Sequence, residues 1–110
     1  MRDNKPTALK YFEAYQSGDV NTILEIVSSG AKIQSGQQDW VSAPMILPNL
    51  LSATSDMKYT MHELFSNDDD SHFIFHFHAV DAKGVKVEYF KVIEFDIYGK
   101  IDFIRVVTND

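Results

Sequence analysis

Residues 71–108 hold three β-rich runs in succession, and they constrain the fold more than any other stretch. The runs read Ser71-His72-Phe73-Ile74-Phe75-His76-Phe77-His78-Ala79, then Val85-Lys86-Val87-Glu88-Tyr89-Phe90-Lys91-Val92-Ile93-Glu94-Phe95, then Ile101-Asp102-Phe103-Ile104-Arg105-Val106-Val107. Gly84 and Gly99 each fall in a short polar break between runs. Aromatic and β-branched residues suit a pleated, half-buried surface, and a glycine in a short break marks a hairpin. The pattern therefore predicts an antiparallel meander. Such a sheet has to bury one face, and the upstream chain reads as its cover.

Residues 57–66 add a strand in front of the meander. Met57, Tyr59, Met61 and Phe65 alternate with Lys58, Thr60 and His62, while Phe73, Phe75, Phe77 and Ala79 alternate with His72, Ile74, His76 and His78. Successive side chains of a strand point to opposite faces. An even register would set Met61 near Phe77 and His62 near His76, with the odd-numbered aromatics toward the helices and the imidazoles behind them. The 85–95 run is partly apolar on both faces, which predicts a central strand. In the last strand, Ile104 and Val106 oppose Phe103, Arg105 and Val107. Asp68-Asp69-Asp70 lacks the ligand spacing, glycine and glutamate of a calcium loop and reads as a solvated turn.

Upstream, residues 5–17 suit a helix capped by Asn4, with Pro6 in the first turn and Ala8, Leu9, Phe12 and Tyr15 on one face. Tyr11 borders that stripe, and Gly18 ends the helix. Asp19 caps a second helix over 20–28, with Val20, Ile23, Leu24 and Val27 on one face and Ser28-Ser29-Gly30 ending it. A short strand over 31–35, a polar loop, Trp40 and a third helix over 42–54 follow. Ser42 caps that helix, and Pro48 predicts a kink or a break.

With 110 residues the chain is expected to form one domain over 1–110 around a single core. A net charge of −6 and the absence of any basic run argue against a nucleic-acid partner. The chain has no cysteine, which excludes disulfides, thiol catalysis and thiolate metal sites. That composition fits a cytoplasmic location. No apolar stretch approaches a membrane span, and the polar start Met1–Pro6 does not read as a signal peptide.

The order helix, helix, short strand, helix, four-strand meander describes an α+β cone. Together with Lys10-Tyr11-Phe12-Glu13-Ala14-Tyr15-Gln16-Ser17-Gly18-Asp19 and Asp96-Ile97-Tyr98-Gly99-Lys100-Ile101, it resembles the SnoaL-like and nuclear-transport-factor-2-like superfamily, of cystatin-like fold. The resemblance implies a curved sheet whose concave side leaves a pocket, and a homodimer joined through sheet surfaces. Its members include ketosteroid isomerase, cyclases, dehydratases and non-catalytic binding modules. Aligning on Gly18-Asp19 places Tyr11 where ketosteroid isomerase has its oxyanion tyrosine. Ser35 falls at the position of the base, and Ile93, with Glu94 beside it, at the third catalytic position. Serine cannot replace a carboxylate base unaided. Asp39 is the nearest substitute, needing burial to raise its pKa.

The candidate catalytic pair is thus Tyr11 and Asp39. The candidate pocket lining is Tyr15, Trp40, Tyr59, Met61, Phe75, Phe77 and Tyr89, set against the alternative that these residues are simply core. His62, His76 and His78 have spacing compatible with a metal. They lie on the face opposite the phenylalanines with no carboxylate clearly placed to orient them, so no metal is expected. A sheet surface at a dimer interface fits them better, where their titration would make association pH-sensitive. Three functions follow: a cofactor-free binder of a small apolar or amphipathic molecule, an isomerase, cyclase or dehydratase, or a dimerisation module with a filled cone. Cavity contents distinguish them.

Overall fold

The computed structural model describes residues 3–108. Three helices, α1 (Lys5–Ser17), α2 (Val20–Ile26) and α3 (Ala43–Ala53), pack on six strands. The strands are β1 (Val27–Ser35), β2 (Val41–Ser42), β3 (Lys58–Ser66), β4 (His72–Val80), β5 (Lys86–Phe95) and β6 (Ile101–Thr108). They form one curved sheet in the order β2-β1-β6-β5-β4-β3. All neighbours are antiparallel except β1 and β6, which run parallel. The predicted α+β cone is the observed architecture. Among the described residues no helix is long and apolar enough to cross a membrane.

The meander is closed by two turns of the same chemistry. Asp81 Oδ1 accepts from the backbone N–H groups of Lys83 and Val85, and Asp96 Oδ1 accepts from those of Tyr98 and Lys100, all at 2.9 Å. Gly84 and Gly99 follow three residues after each aspartate with φ of 84° and 79°. A side chain there would clash with its own backbone, so glycine sets these turns.

Strand parity places the core. Phe73, Phe75, Phe77 and Ala79 of β4 are buried, as are Ile93 and Phe95 of β5 and Ile104 of β6. Ile74, Phe90, Phe103 and Val107 are exposed on the outer face. On α1 the buried stripe is Ala8, Tyr11 and Phe12, with Tyr15 packed at its end. Tyr11 is fully buried and Leu9 is exposed, so the face is rotated by one position from the expected stripe. On α2, Ile23 and Ile26 face inward and Leu24 does not.

Four boundaries or caps differ from expectation. Asn4 makes no capping bond; its Nδ2 donates to the Asp70 carbonyl at 2.9 Å, tying α1 to the β3–β4 turn. Ser42 likewise makes no side-chain cap, and α3 runs on through Pro48. Ser28-Ser29-Gly30 belong to β1 rather than ending α2: Val27 already pairs with Ile101, and Ser28 Oγ hydrogen-bonds Asp102 Oδ1 at 2.8 Å. The fourth difference is in β3. Met61 pairs with Phe77 as expected, but the next pair is Glu63 with His76, so His62 is an extra residue in a bulge. A bulge reverses facing beyond it. Leu64 therefore packs on the core, and Phe65 turns out to solvent.

Candidate functional site

The inner face of β5 reads Val87, Tyr89, Lys91, Ile93, Phe95, and one residue in it carries a charge. Lys91 pairs with Phe75 of β4 on one side and Val106 of β6 on the other. Its side chain is therefore directed under the helices, and it is only 4% exposed. Lys91 Nζ donates to the Tyr11 hydroxyl at 3.3 Å and lies 3.6 Å from the centroid of the Tyr15 ring. The Tyr11 ring centroid is 5.1 Å away. Among the described residues no carboxylate lies within ion-pairing distance of it. Loss of hydration disfavours the charged form, and aromatic faces compensate only in part. Burial accordingly pushes the ammonium down from 10.5 to about 7.

A cavity of about 160 Å³ opens beside this amine. Its walls come from two helices and five strands: Tyr15 of α1, Ser35 of β1, Leu50 of α3 with Thr54 after it, Met57 and Tyr59, Phe77, Tyr89 and Val106. Gln16 Nε2 donates to the Tyr59 carbonyl at 3.2 Å, tying the end of α1 to β3. Phe77 and Tyr89 stack with centroids 5.3 Å apart, and Tyr15 and Tyr59 meet edge to face at 5.7 Å. Burial pushes the Tyr15 hydroxyl up to about 12, the neighbouring Tyr59 adding to it and a hydrogen bond with Thr54 working against it. Burial also raises Tyr11, well above its ordinary value. These phenols stay neutral at neutral pH.

The residues singled out from sequence separate into three places. Tyr15, Tyr59, Phe77 and Tyr89 line the cavity. Tyr11, Phe75 and Met61 do not: Tyr11 and Phe75 are wholly buried, Tyr11 contacting the amine from behind, and Met61 packs against the core. Asp39 and Trp40 stand elsewhere. The chain leaves the cavity at Ser35, and Asp39 is exposed in the loop beyond it. Trp40 crosses to the outer face, where its ring meets Phe103 at 5.7 Å and Arg105 at 5.5 Å. The loop that was expected to bring a carboxylate and an indole to the cavity wall brings neither. Ser35, noted only as a poor base, is on the wall.

The histidines occupy the outer face. His62 Nε2 and His78 Nδ1 are 2.7 Å apart, and His76 stacks on Phe90 at 4.6 Å. Desolvation lowers His78, with Lys86 and His62 adding to it. Among the described residues no three metal-binding groups have the geometry of a metal site. A second, more open groove of about 460 Å³ lies on this face between Trp40, Val92, Glu94, Phe103 and Arg105. Its charged groups are exposed or already paired: Arg105 Nε donates to Gln34 Oε1 at 3.0 Å, and Glu94 lies 3.4 Å from His72.

No family model and no curated protein matches the chain by sequence. Solved structures do match by fold. SalBIII, an epoxide hydrolase/cyclase-like enzyme of pyran ring formation in the polyether salinomycin, aligns with a TM-score of 0.80 at 21% identity, covering 96% of this chain and 90% of its own. A steroid delta-isomerase from Pseudomonas aeruginosa aligns with a TM-score of 0.84 at 16% identity, covering 100% and 82%. A SnoaL-like protein of unknown function from Burkholderia thailandensis aligns with a TM-score of 0.75 at 12% identity, covering 97% and 94%. The chain thus has the SnoaL/NTF2-like fold. That fold hosts many chemistries, so function has to be argued from the site.

Proposed function

We propose that this domain binds a compact, largely apolar molecule carrying one acidic or carbonyl oxygen, which the inner cavity holds against Lys91. The observation that carries this is a buried lysine lining an aromatic cavity with no carboxylate among the described residues within ion-pairing distance. An amine is costly to bury unpaired. A ligand oxygen would supply the missing partner, and the ring faces around it would take the apolar body. A dry cavity of about 150 Å³ accepts a single benzene-sized ring, so the space suits a substituted ring or short branched chain. The isomerase-type alternative asks for a carboxylate on the wall. No described lining residue is Asp or Glu, so proton transfer there would fall to Lys91 instead of Asp39.

Benzoate and benzyl alcohol test this by chemical-shift perturbation. Both are expected to move resonances of Tyr15, Tyr89 and Leu50, benzoate more tightly below pH 7, where Lys91 is charged. Val106→Phe fills the cavity and is expected to weaken both ligands at least about tenfold, the loss of several buried methylenes' worth of contact. Perturbations scattered over the outer face, or unchanged in Val106→Phe, would refute the assignment.

The same proposal includes a homodimer through the outer face of the sheet. Ile74, Phe90, Phe103 and Val107 leave an apolar band exposed there, flanked by Glu94 and Arg105. A two-fold axis brings identical patches together, so a Glu94 of one copy can meet Arg105 of the other. Phe90→Glu and Phe103→Glu are each expected to convert a dimer to a monomer in sedimentation experiments. A wild-type chain that sediments as a monomer at high concentration would remove this part.

A further inference from the structure

Among the described lysines, Lys91 differs from the other seven in environment: those seven are exposed, and it is enclosed. Three features of its position matter together. Lys91 lines a cavity of about 160 Å³, and its Nζ lies 3.6 Å from the ring centroid of Tyr15, another lining residue. The described residues place no carboxylate close enough to hold it as an ammonium. The Tyr11 hydroxyl, at 3.3 Å and fully buried, fixes the amine without competing for the cavity.

We infer that Lys91 is a nucleophile that captures an aldehyde or ketone carbonyl as an imine, and that the ligand class of the cavity is a small aromatic or branched carbonyl compound. This rests on the binding role proposed above and sharpens it. The step balances without a co-reactant. The Nζ lone pair forms the C–N bond, and the carbonyl π pair moves to oxygen, which takes one proton from that nitrogen to give the carbinolamine. The carbinolamine then loses that oxygen as water with a proton from nitrogen, so that amine and carbonyl become imine and one water. Nothing is oxidised or reduced. Enclosure favours the step twice. A desolvated lysine keeps its lone pair free near neutral pH, and a site with few waters resists the reverse hydrolysis. Tyr11 acts as a positioning residue. Its hydroxyl, kept neutral by burial, accepts from Nζ and restrains it.

Benzaldehyde is the probe, with benzyl alcohol as a partner that fits the same space and cannot form an imine. The whole chain is incubated with benzaldehyde and cyanoborohydride, which reduces an imine to a stable secondary amine, and the adduct is located by peptide mass mapping. At pH 7 an exposed lysine is almost wholly protonated, whereas Lys91 titrates near that pH. Labelling at Lys91 is therefore expected to exceed that at any exposed lysine at least about tenfold. It should level off above pH 8, while exposed lysines continue to gain. Lys91→Arg and Lys91→Met are expected to lose the dominant adduct, and Tyr11→Phe to slow its formation without abolishing it.

Because the exposed lysines serve as internal references, the wild-type chain alone decides the matter even if a variant does not fold. If benzaldehyde and benzyl alcohol both perturb the cavity resonances but Lys91 is labelled no faster than exposed lysines, the imine is overturned and the binding role stands. If neither compound perturbs them and no preference for Lys91 appears, both fall.

Discussion

Replacing Lys91 by methionine should stabilise the fold at pH 6 and remove most of its pH dependence between pH 7 and 9.5. A lysine that titrates near 7 when folded and at 10.5 when unfolded binds its proton more tightly in the unfolded chain. Below pH 7 both states are protonated, and the cost of enclosing the ammonium is fully present. Between 7 and 10.5 only the unfolded state holds the proton, so stability rises with pH by about 1.4 kcal/mol per unit. The depression from 10.5 to about 7 corresponds to about 5 kcal/mol in all. Methionine is unbranched and similar in length, carries no charge, and strands the Tyr11 hydroxyl at a cost of about 1–3 kcal/mol. The variant should gain about 2 kcal/mol or more at pH 6, and that advantage should shrink or reverse by pH 9.5. The raised tyrosines remove stability only above pH 10, and Asp19, Asp69 and His78, all lowered, act at more acid pH and are common to both proteins. They cancel in the difference. Urea unfolding across this range measures it, and parallel curves for the two proteins would show that Lys91 is charged and solvated when folded.

That lysine was within reach of the sequence. Position 91 lies on the same strand face as Tyr89, Ile93 and Phe95, and one cation among inward aromatics is the signal. It is masked because 85–95 is apolar on both faces in part, so alternation alone does not say which side is core. Tyr15, Tyr59 and Phe77 are legible for the opposite reason: a strict period of two or an i, i+4 stripe marks their facing before any coordinates. Asp39 and Trp40 are not legible, because nothing local says whether a loop turns over the concave or the outer face. That is decided by the pairing of β2 with β1 and by Phe103 and Arg105 waiting on the far side. The parallel pairing of β1 with β6 joins residues some seventy positions apart, as in Ile33 with Ile104, and leaves no short-range trace. The start of β1 at Val27 is hidden for a related reason. Val27-Ser28-Ser29 continues a helical pattern, and only the contact with Ile101 and Asp102 pulls it into the sheet.

The sharpest test of the facing argument compares two phenylalanines of neighbouring strands. Phe75 is fully buried, stacked on Phe12 at 5.6 Å and 6.4 Å from Tyr11, whereas Phe65 is 49% exposed. Phe75→Ala should cost about 3–5 kcal/mol, the usual range for emptying a packed aromatic site. It should also loosen the support of Lys91, because Phe75 pairs with it across the sheet. Phe65→Ala should cost about 1 kcal/mol or less, since most of the ring meets solvent in either state. Uninterrupted alternation from Tyr59 would make Phe65 a core residue, and the two costs would then be similar. The extra residue at His62 separates the cases. Deleting His62 removes the extra residue and makes the pairs Met61–Phe77, Glu63–His76, Leu64–Phe75 and Phe65–Ile74 consecutive, so that variant should keep Leu64 inward and Phe65 outward and lose at most about 1 kcal/mol. Chemical denaturation of the three variants measures all of this together. Equal losses for Phe75→Ala and Phe65→Ala would mean that β3 has no bulge and that the face assigned to the β3–β4 hairpin is wrong, taking the cavity's outer wall with it.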